Sequence, residues 1–157
     1  MINVVKTYKY NLKKINTEIE YLIANFGWAL EEPNQLMIQG NNEALGSLDW
    51  TKEKEHVDLK IPDDFEISRF VKNHNLCRTR LMKINPKTCY SYHLDGFKRL
   101  HLAIDTNVNN FFVIEDNVYR IPSDGYPYLI DTTKLHTFVN SDKKLERIHL
   151  VGSTSLW

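Results

Sequence analysis

The stretch YSYHLDGFKRLHLAI, residues 90–104, holds two histidines, an aspartate and an arginine within the nine positions 93–101. Strand side chains alternate faces, so His93 and Asp95, two apart, point the same way. Such a pair offers one imidazole and one carboxylate to a single ion. A second imidazole from another strand completes a 2-His-1-carboxylate face, the donor set of non-haem iron(II) sites, and leaves neighbouring positions on the metal open. By itself the pair is weak. With six histidines and ten aspartates in 157 residues, chance alone supplies roughly 0.4 His-x-Asp pairs. For the fragment alone the better reading is an ordinary hairpin, with His93 solvated and Asp95-Gly96 opening a turn.

A second stretch shifts the balance. HTFVNSDKKLERIHLV, residues 136–151, opens a strand with His136, turns at NSDKK and returns with Arg147. The hairpin sets the two strands side by side, so His136 and Arg147 can face one cavity. A guanidinium grips a carboxylate with two parallel hydrogen bonds. The chain thus offers three metal donors and a carboxylate clamp, in the order His-x-Asp, distal His, Arg.

In this order and spacing the chain resembles the Fe(II)/2-oxoglutarate-dependent oxygenases, and more closely the aspartyl/asparaginyl β-hydroxylase-like family. The similar stretches are RTRLMKINP, HLDGFKRLHLAIDTN followed by FFVI, and HTFVNSDKKLERIHLV, within residues 78–151. The family pattern of a metal-binding His, an Arg-x-His on the next strand, a later His-x-x-x-Asn and a 2-oxoglutarate-binding Arg falls on His93, on Arg99 and His101, on His136 and Asn140, and on Arg147. Three departures stand out. Pro86-Lys87 replaces a frequent Pro-Gly, the gap from His136 to Arg147 is one residue longer, and Asp95 supplies a carboxylate that the animal members lack.

The resemblance implies a double-stranded β-helix (jelly roll, cupin-like) that binds Fe(II) through His93, Asp95 and His136. It implies that Arg147 holds the distal carboxylate of the cosubstrate 2-oxoglutarate, that Arg99 and His101 make further cosubstrate contacts, and that O2 is consumed. The implied activity is dioxygenase hydroxylation of an amino acid or of a protein Asp or Asn side chain, so the partner is a small molecule or a peptide. Asn140 and Arg80 are candidate substrate contacts. Each also has a plain reading, Asn140 as a turn residue and Arg80 as a surface ion-pair residue. Two other classes stay open: a non-catalytic cupin-like binding module, and a zinc hydrolase using the same three ligands. A zinc hydrolase has no need of the Arg.

The elements that must carry these residues are legible in outline. Residues 77–157 read as a β core, with strands expected at CRTRLMKI, TCYSYHL, KRLHLAID, FFVIED, VYRI, YPYLIDTT, HTFVN and RIHLVGS, broken by turn residues. About eight short strands at this spacing suit a sandwich or barrel. Residues 1–76 read as a helical and irregular region packed on that core, within one compact domain. A helix is expected over NTEIEYLIANFG, capped by Asn16 or Thr17 and ended by Gly27. A second is expected from about Asp63. The segment between them reads as a long polar loop.

The remaining aromatic and ionisable residues have simpler expectations. His56 and His74 are expected in solvent, His149 in packing, and Tyr90 and Tyr92 facing away from His93. Twenty basic residues balance twenty acidic ones, which gives no global field for nucleic acid or anionic lipid. Cys77 and Cys89 do not form a CxxC pair and read as reduced thiols on strands. No apolar leader or membrane-length run is visible, so a soluble cytoplasmic protein is expected.

Overall fold

The computed structural model describes residues 1–28, 34–40 and 50–154. The chain opens with a short strand, β1 (Ile2–Val4), and the helix α1 (Leu12–Phe26). Then come β2 (Gln35–Met37), β3 (Gln39–Gly40), 3-10 turns over Trp50–Glu55, β4 (Asp58–Leu59) and the helix α2 (Glu66–Asn73). The β-rich half follows with β5 (Cys77–Ile84), β6 (Thr88–Cys89), β7 (Lys98–Asp105) and β8 (Asn110–Ile114). It ends with β9 (Asn117–Tyr119), β10 (Tyr128–Ile130), β11 (His136–Asn140) and β12 (Arg147–Thr154). The fold is mainly β with two α-helices among the described residues.

The main strands form two antiparallel sheets. The larger runs β1-β10-β7-β12-β5-β2 and the smaller β6-β11-β8-β9; β3 and β4 pair separately. Along β7, Leu100, Leu102 and Ile104 point to one face and Arg99, His101 and Ala103 to the other, and nearly all are buried. Burial on both faces marks a central strand. The leucine face joins Ile15, Ile19 and Leu22 of α1 and Ile67, Phe70 and Val71 of α2 in one apolar cluster. Each such side chain, fully buried, contributes about 1.5–3 kcal/mol. The opposite face meets the smaller sheet through Ile84, Ala103, Phe112, Ile114, Ile130 and Phe138. The helices therefore close the outer face of the larger sheet, and its inner face is left to carry polar residues.

Local chemistry sets the helix ends. Helix α1 begins one turn before the expected position, because the Asn11 side chain accepts from Lys14 N (3.1 Å). It ends at Gly27, whose φ is +68° and whose N–H donates to Ile23 O (2.9 Å). Helix α2 begins at Glu66 and not at Asp63. Buried Glu18 of α1 accepts from Glu66 N (2.7 Å) and Ile67 N (3.0 Å), so the cap comes from another helix. The N-terminal region also supplies both edge strands of the larger sheet: Leu129 pairs with Asn3 at one edge, and Leu36 pairs with Leu81 at the other. These strands are three residues long, too short for a period-2 pattern to show in sequence. Among the described residues no helix is long and apolar enough to cross a membrane.

Candidate metal centre

After β6, Tyr90 N still donates to Phe138 O (3.1 Å); the chain then leaves the ladder and meets the smaller sheet again at His93. There His93 N donates to His136 O and His136 N donates to His93 O, both at 3.0 Å. This bridge brings the two imidazoles to a centroid separation of 4.3 Å. Each ring is anchored the same way: His93 Nδ1 lies 2.8 Å from Ser91 O, and His136 Nδ1 lies 2.8 Å from Lys134 O. A carbonyl can only accept, so each Nδ1 carries a proton, and Nε2 is the nitrogen that holds the lone pair in the neutral ring. His136 is fully buried, and its Nε2 has no hydrogen-bond partner. Burial holds its pKa below the ordinary histidine value, which keeps the ring neutral.

Asp95 completes the group. Its N–H donates to Thr132 O (2.9 Å), which fixes the backbone next to β10, and its Oδ2 lies 3.8 Å from His136 Nε2. One donor atom from each of His93, Asp95 and His136 lies within 4.8 Å of the others. Two imidazoles aimed through Nε2, a carboxylate and a buried His136 Nε2 without a partner fit a divalent transition ion. The imidazole–carbonyl bonds are the outer contacts that fix ring orientation in such sites.

His93 and Asp95 of this group line a cavity of ≈ 490 Å³, which His101, Arg99, Arg80 and Tyr90 also line, with His136 buried behind them. Arg80, on β5, is buried and donates from NH1 to Gln35 Oε1 (2.9 Å). The Arg99 guanidinium is fully engaged. Its Nε donates to Asp95 Oδ2 (3.0 Å), and its NH1 donates to Glu53 Oε1 and Ser153 Oγ. Burial lowers its pKa to about 10. His101 is buried with its Nδ1 3.4 Å from His149 Nδ1, and its Nε2 has no partner.

Arg147 lies deeper. Its NH2 donates to His149 Nδ1 (2.8 Å), and its guanidinium carbon sits 5.0 Å and 5.1 Å from the Phe112 and Phe138 ring centres. It is 3% exposed. Among the described residues no carboxylate comes within ion-pair distance of it. Burial pushes its pKa down to about 9, so it is still a cation at neutral pH. An Arg can only donate, so His149 Nδ1 must accept and His149 is neutral with its proton on Nε2. Burial holds both His101 and His149 well below the ordinary histidine range.

Asn140 stands apart from the cavity. Its Nδ2 donates to Ile84 O (3.0 Å) and Leu145 O (2.9 Å), and its Oδ1 accepts from Asn110 Nδ2 (2.7 Å) and Asp142 N (3.1 Å). With both ends satisfied it holds the β11–β12 turn and does not line the cavity. Tyr90 corrects the strand-alternation expectation: it lines the cavity. Tyr90 N still donates to Phe138 O (3.1 Å) in the register of Cys89 and Val139. His93, however, pairs with His136, so the register slips by one residue between them and alternation does not carry from Tyr90 to His93. His56 is buried and not solvated, and its carbonyl accepts from Arg78 N (2.7 Å). His74 is half-buried against Tyr10 OH (3.0 Å). Glu53 was hidden in a segment that reads as polar loop; the one available signal was that a buried Arg99 requires a counter-charge.

No family model matches the chain, and no curated protein matches it. Among solved structures, the chain is similar to a conserved protein of unknown function from Streptococcus pyogenes, SPY1581, over 76% of this chain and 96% of that one, at 12% identity and a TM-score of 0.42. It is also similar to AviO1 from Streptomyces viridochromogenes over 92% and 85%, at 13% identity and a TM-score of 0.48. At these levels neither likeness bears on activity.

Proposed function

We propose that this chain is an Fe(II)- and 2-oxoglutarate-dependent dioxygenase, a hydroxylase of an amino acid or of an Asp or Asn side chain in a peptide, built on a jelly roll of the double-stranded β-helix type. The observation that carries the reading is the convergence of His93, Asp95 and His136 with both Nε2 atoms left to accept. The strand arrangement supports it. Of the eight strands from β5 to β12, the first, third, sixth and eighth lie in the larger sheet and the other four face them, an eight-stranded two-sheet roll.

In this reading His93, Asp95 and His136 hold the iron, which with 2-oxoglutarate and O2 supplies the oxidising power for hydroxylation, succinate and CO2 being released. The residues' own work is positional. The Ser91 and Lys134 carbonyls fix the Nδ1 side of each ring and so aim its Nε2. Arg147 receives the distal carboxylate of the cosubstrate, with its charge undiluted by any carboxylate among the described residues. Phe112 and Phe138 exclude water from that cation and so strengthen its pull. His101 Nε2 offers an acceptor at the cavity wall. The cavity volume leaves room for a cosubstrate and a small substrate or side chain.

The test is succinate release. Anaerobically iron-loaded protein, given 2-oxoglutarate and air, is expected to form succinate, and His136→Ala to form none. Full turnover in His136→Ala sinks the metal assignment. Firm zinc binding without 2-oxoglutarate turnover favours the hydrolase, and no metal binding at all favours the binding module.

A further inference from the structure

Asp95 lies in the short connection between the His93 bridge and β7, outside any strand ladder. Its backbone is fixed by Thr132, but its carboxylate is a quarter exposed or less (21%) and has to be aimed by something else. Among the described residues one hydrogen-bond donor reaches it, Arg99 Nε at 3.0 Å. Arg99 in turn is gripped at its far end. NH1 meets Glu53 Oε1 and Ser153 Oγ, and NH2 lies 3.4 Å from Glu53 Oε2. Glu53 sits in the 3-10 turns of the N-terminal region and is buried, with Arg78 NH1 3.5 Å from Oε1. Glu53, Arg99 and Asp95 thus make a continuous line from a distant segment to the metal-binding group, and Ser153 braces it from β12.

We propose that Arg99 and Glu53 are positioning residues of the metal centre: Arg99 holds the Asp95 carboxylate toward His93 and His136, and Glu53 holds Arg99 and takes up its charge. This inference rests on the metal reading above and assigns Arg99 away from cosubstrate. The charge logic is simple. An unopposed guanidinium 3.0 Å from Asp95 would draw the carboxylate's negative charge to itself and away from a cation. Paired with Glu53, the same guanidinium still orients the carboxylate while much of its own charge is offset. Outer contacts of this kind typically change metal affinity by about 10–100-fold.

The test uses metal-free full-length protein titrated with Co(II), whose visible spectrum reports ligand geometry, together with the KM for 2-oxoglutarate. Glu53→Gln is expected to weaken Co(II) binding about 10–100-fold and to shift the spectrum, with the KM for 2-oxoglutarate unchanged when measured at saturating Fe(II). Glu53→Asp, which keeps the charge, is expected to recover part of the affinity. Should Glu53→Gln fail to fold, Arg99→Lys keeps the buried charge, lacks the fork, and is expected to show the same loss. Wild-type Co(II) affinity and spectrum in the variants, with a raised KM, would make Arg99 a cosubstrate contact and overturn the proposal. The metal reading fails separately: in that case His136→Ala leaves Co(II) affinity untouched.

Discussion

Arg147 has aromatic rings where a counter-ion would ordinarily sit. A buried cation so placed is unfavourable for the empty protein and useful only if an anion arrives. Arg147→Met therefore has two expected effects of opposite sign. The ligand-free chain gains about 1–4 kcal/mol, the range for replacing buried ionic groups with apolar ones of similar volume. The KM for 2-oxoglutarate rises at least about 30-fold, since losing one partner of a buried charge pair costs about 2 kcal/mol or more. Denaturant unfolding and succinate kinetics read the two effects. A less stable Arg147→Met would mean that the guanidinium is structural. At this scale the sequence showed which residues to suspect, since the spacing of His93, Asp95, His136 and Arg147 is readable. It did not show what engages them. The partners of Arg99 lie 46 and 54 positions away in the chain, beyond any local pattern.

The β11–β12 hairpin carries both His136 and Arg147, so its turn sets their relation. Asp142 holds that turn. Its Oδ1 accepts from Lys144 N (2.8 Å) and Leu145 N (2.9 Å), and its Oδ2 accepts from Asn109 Nδ2 (3.0 Å). These bonds, the backbone N–H of Leu145 first, pull its pKa down to about 2. A carboxylate depressed on folding contributes stability above its unfolded pKa, near 3.9, and loses it as pH falls through the folded value. The Tm difference between the protein and Asp142→Ala is thus expected to be full at pH 7, to shrink below about pH 4 and to vanish near about pH 2. A pH-independent difference would deny Asp142 this role. The strands of this hairpin were readable to the residue as HTFVN and, within one residue, RIHLVGS. The segment TCYSYHL was not: it keeps only Thr88–Cys89 and the single His93 bridge. Period-2 reasoning misplaced Tyr90 because the register slips by one residue between it and His93.

At the scale of the whole molecule the larger sheet divides its labour between faces. The outer face packs Leu100, Leu102, Leu150 and Leu81 against the helices, and the inner face of β5, β7 and β12 buries Arg80, Arg99, His101, Arg147 and His149. The eight-strand rhythm was readable because β5, β7, β8, β11 and β12 are five to eight residues of alternating or apolar character. The helices' task of covering one face was not, since it depends on which face is left polar. A stable outer layer tolerating an incompletely satisfied inner one predicts strong ligand linkage. Mn(II) with 2-oxoglutarate, each at about 100 times its Kd and without oxygen, should stabilise the fold by about 2.7 kcal/mol per bound ligand. For a chain of this length that is a rise in Tm of about 5–10 °C each. The two increments should separate by variant. Arg147→Met keeps the Mn(II) increment and loses that of 2-oxoglutarate, because only the carboxylate clamp is gone. His136→Ala loses the Mn(II) increment and, with the metal that anchors the cosubstrate's other end, the 2-oxoglutarate increment as well. If 2-oxoglutarate raised the Tm of His136→Ala as much as it raised that of the intact protein, the anion would be binding without the metal, and the inner face would be a plain carboxylate-binding pocket.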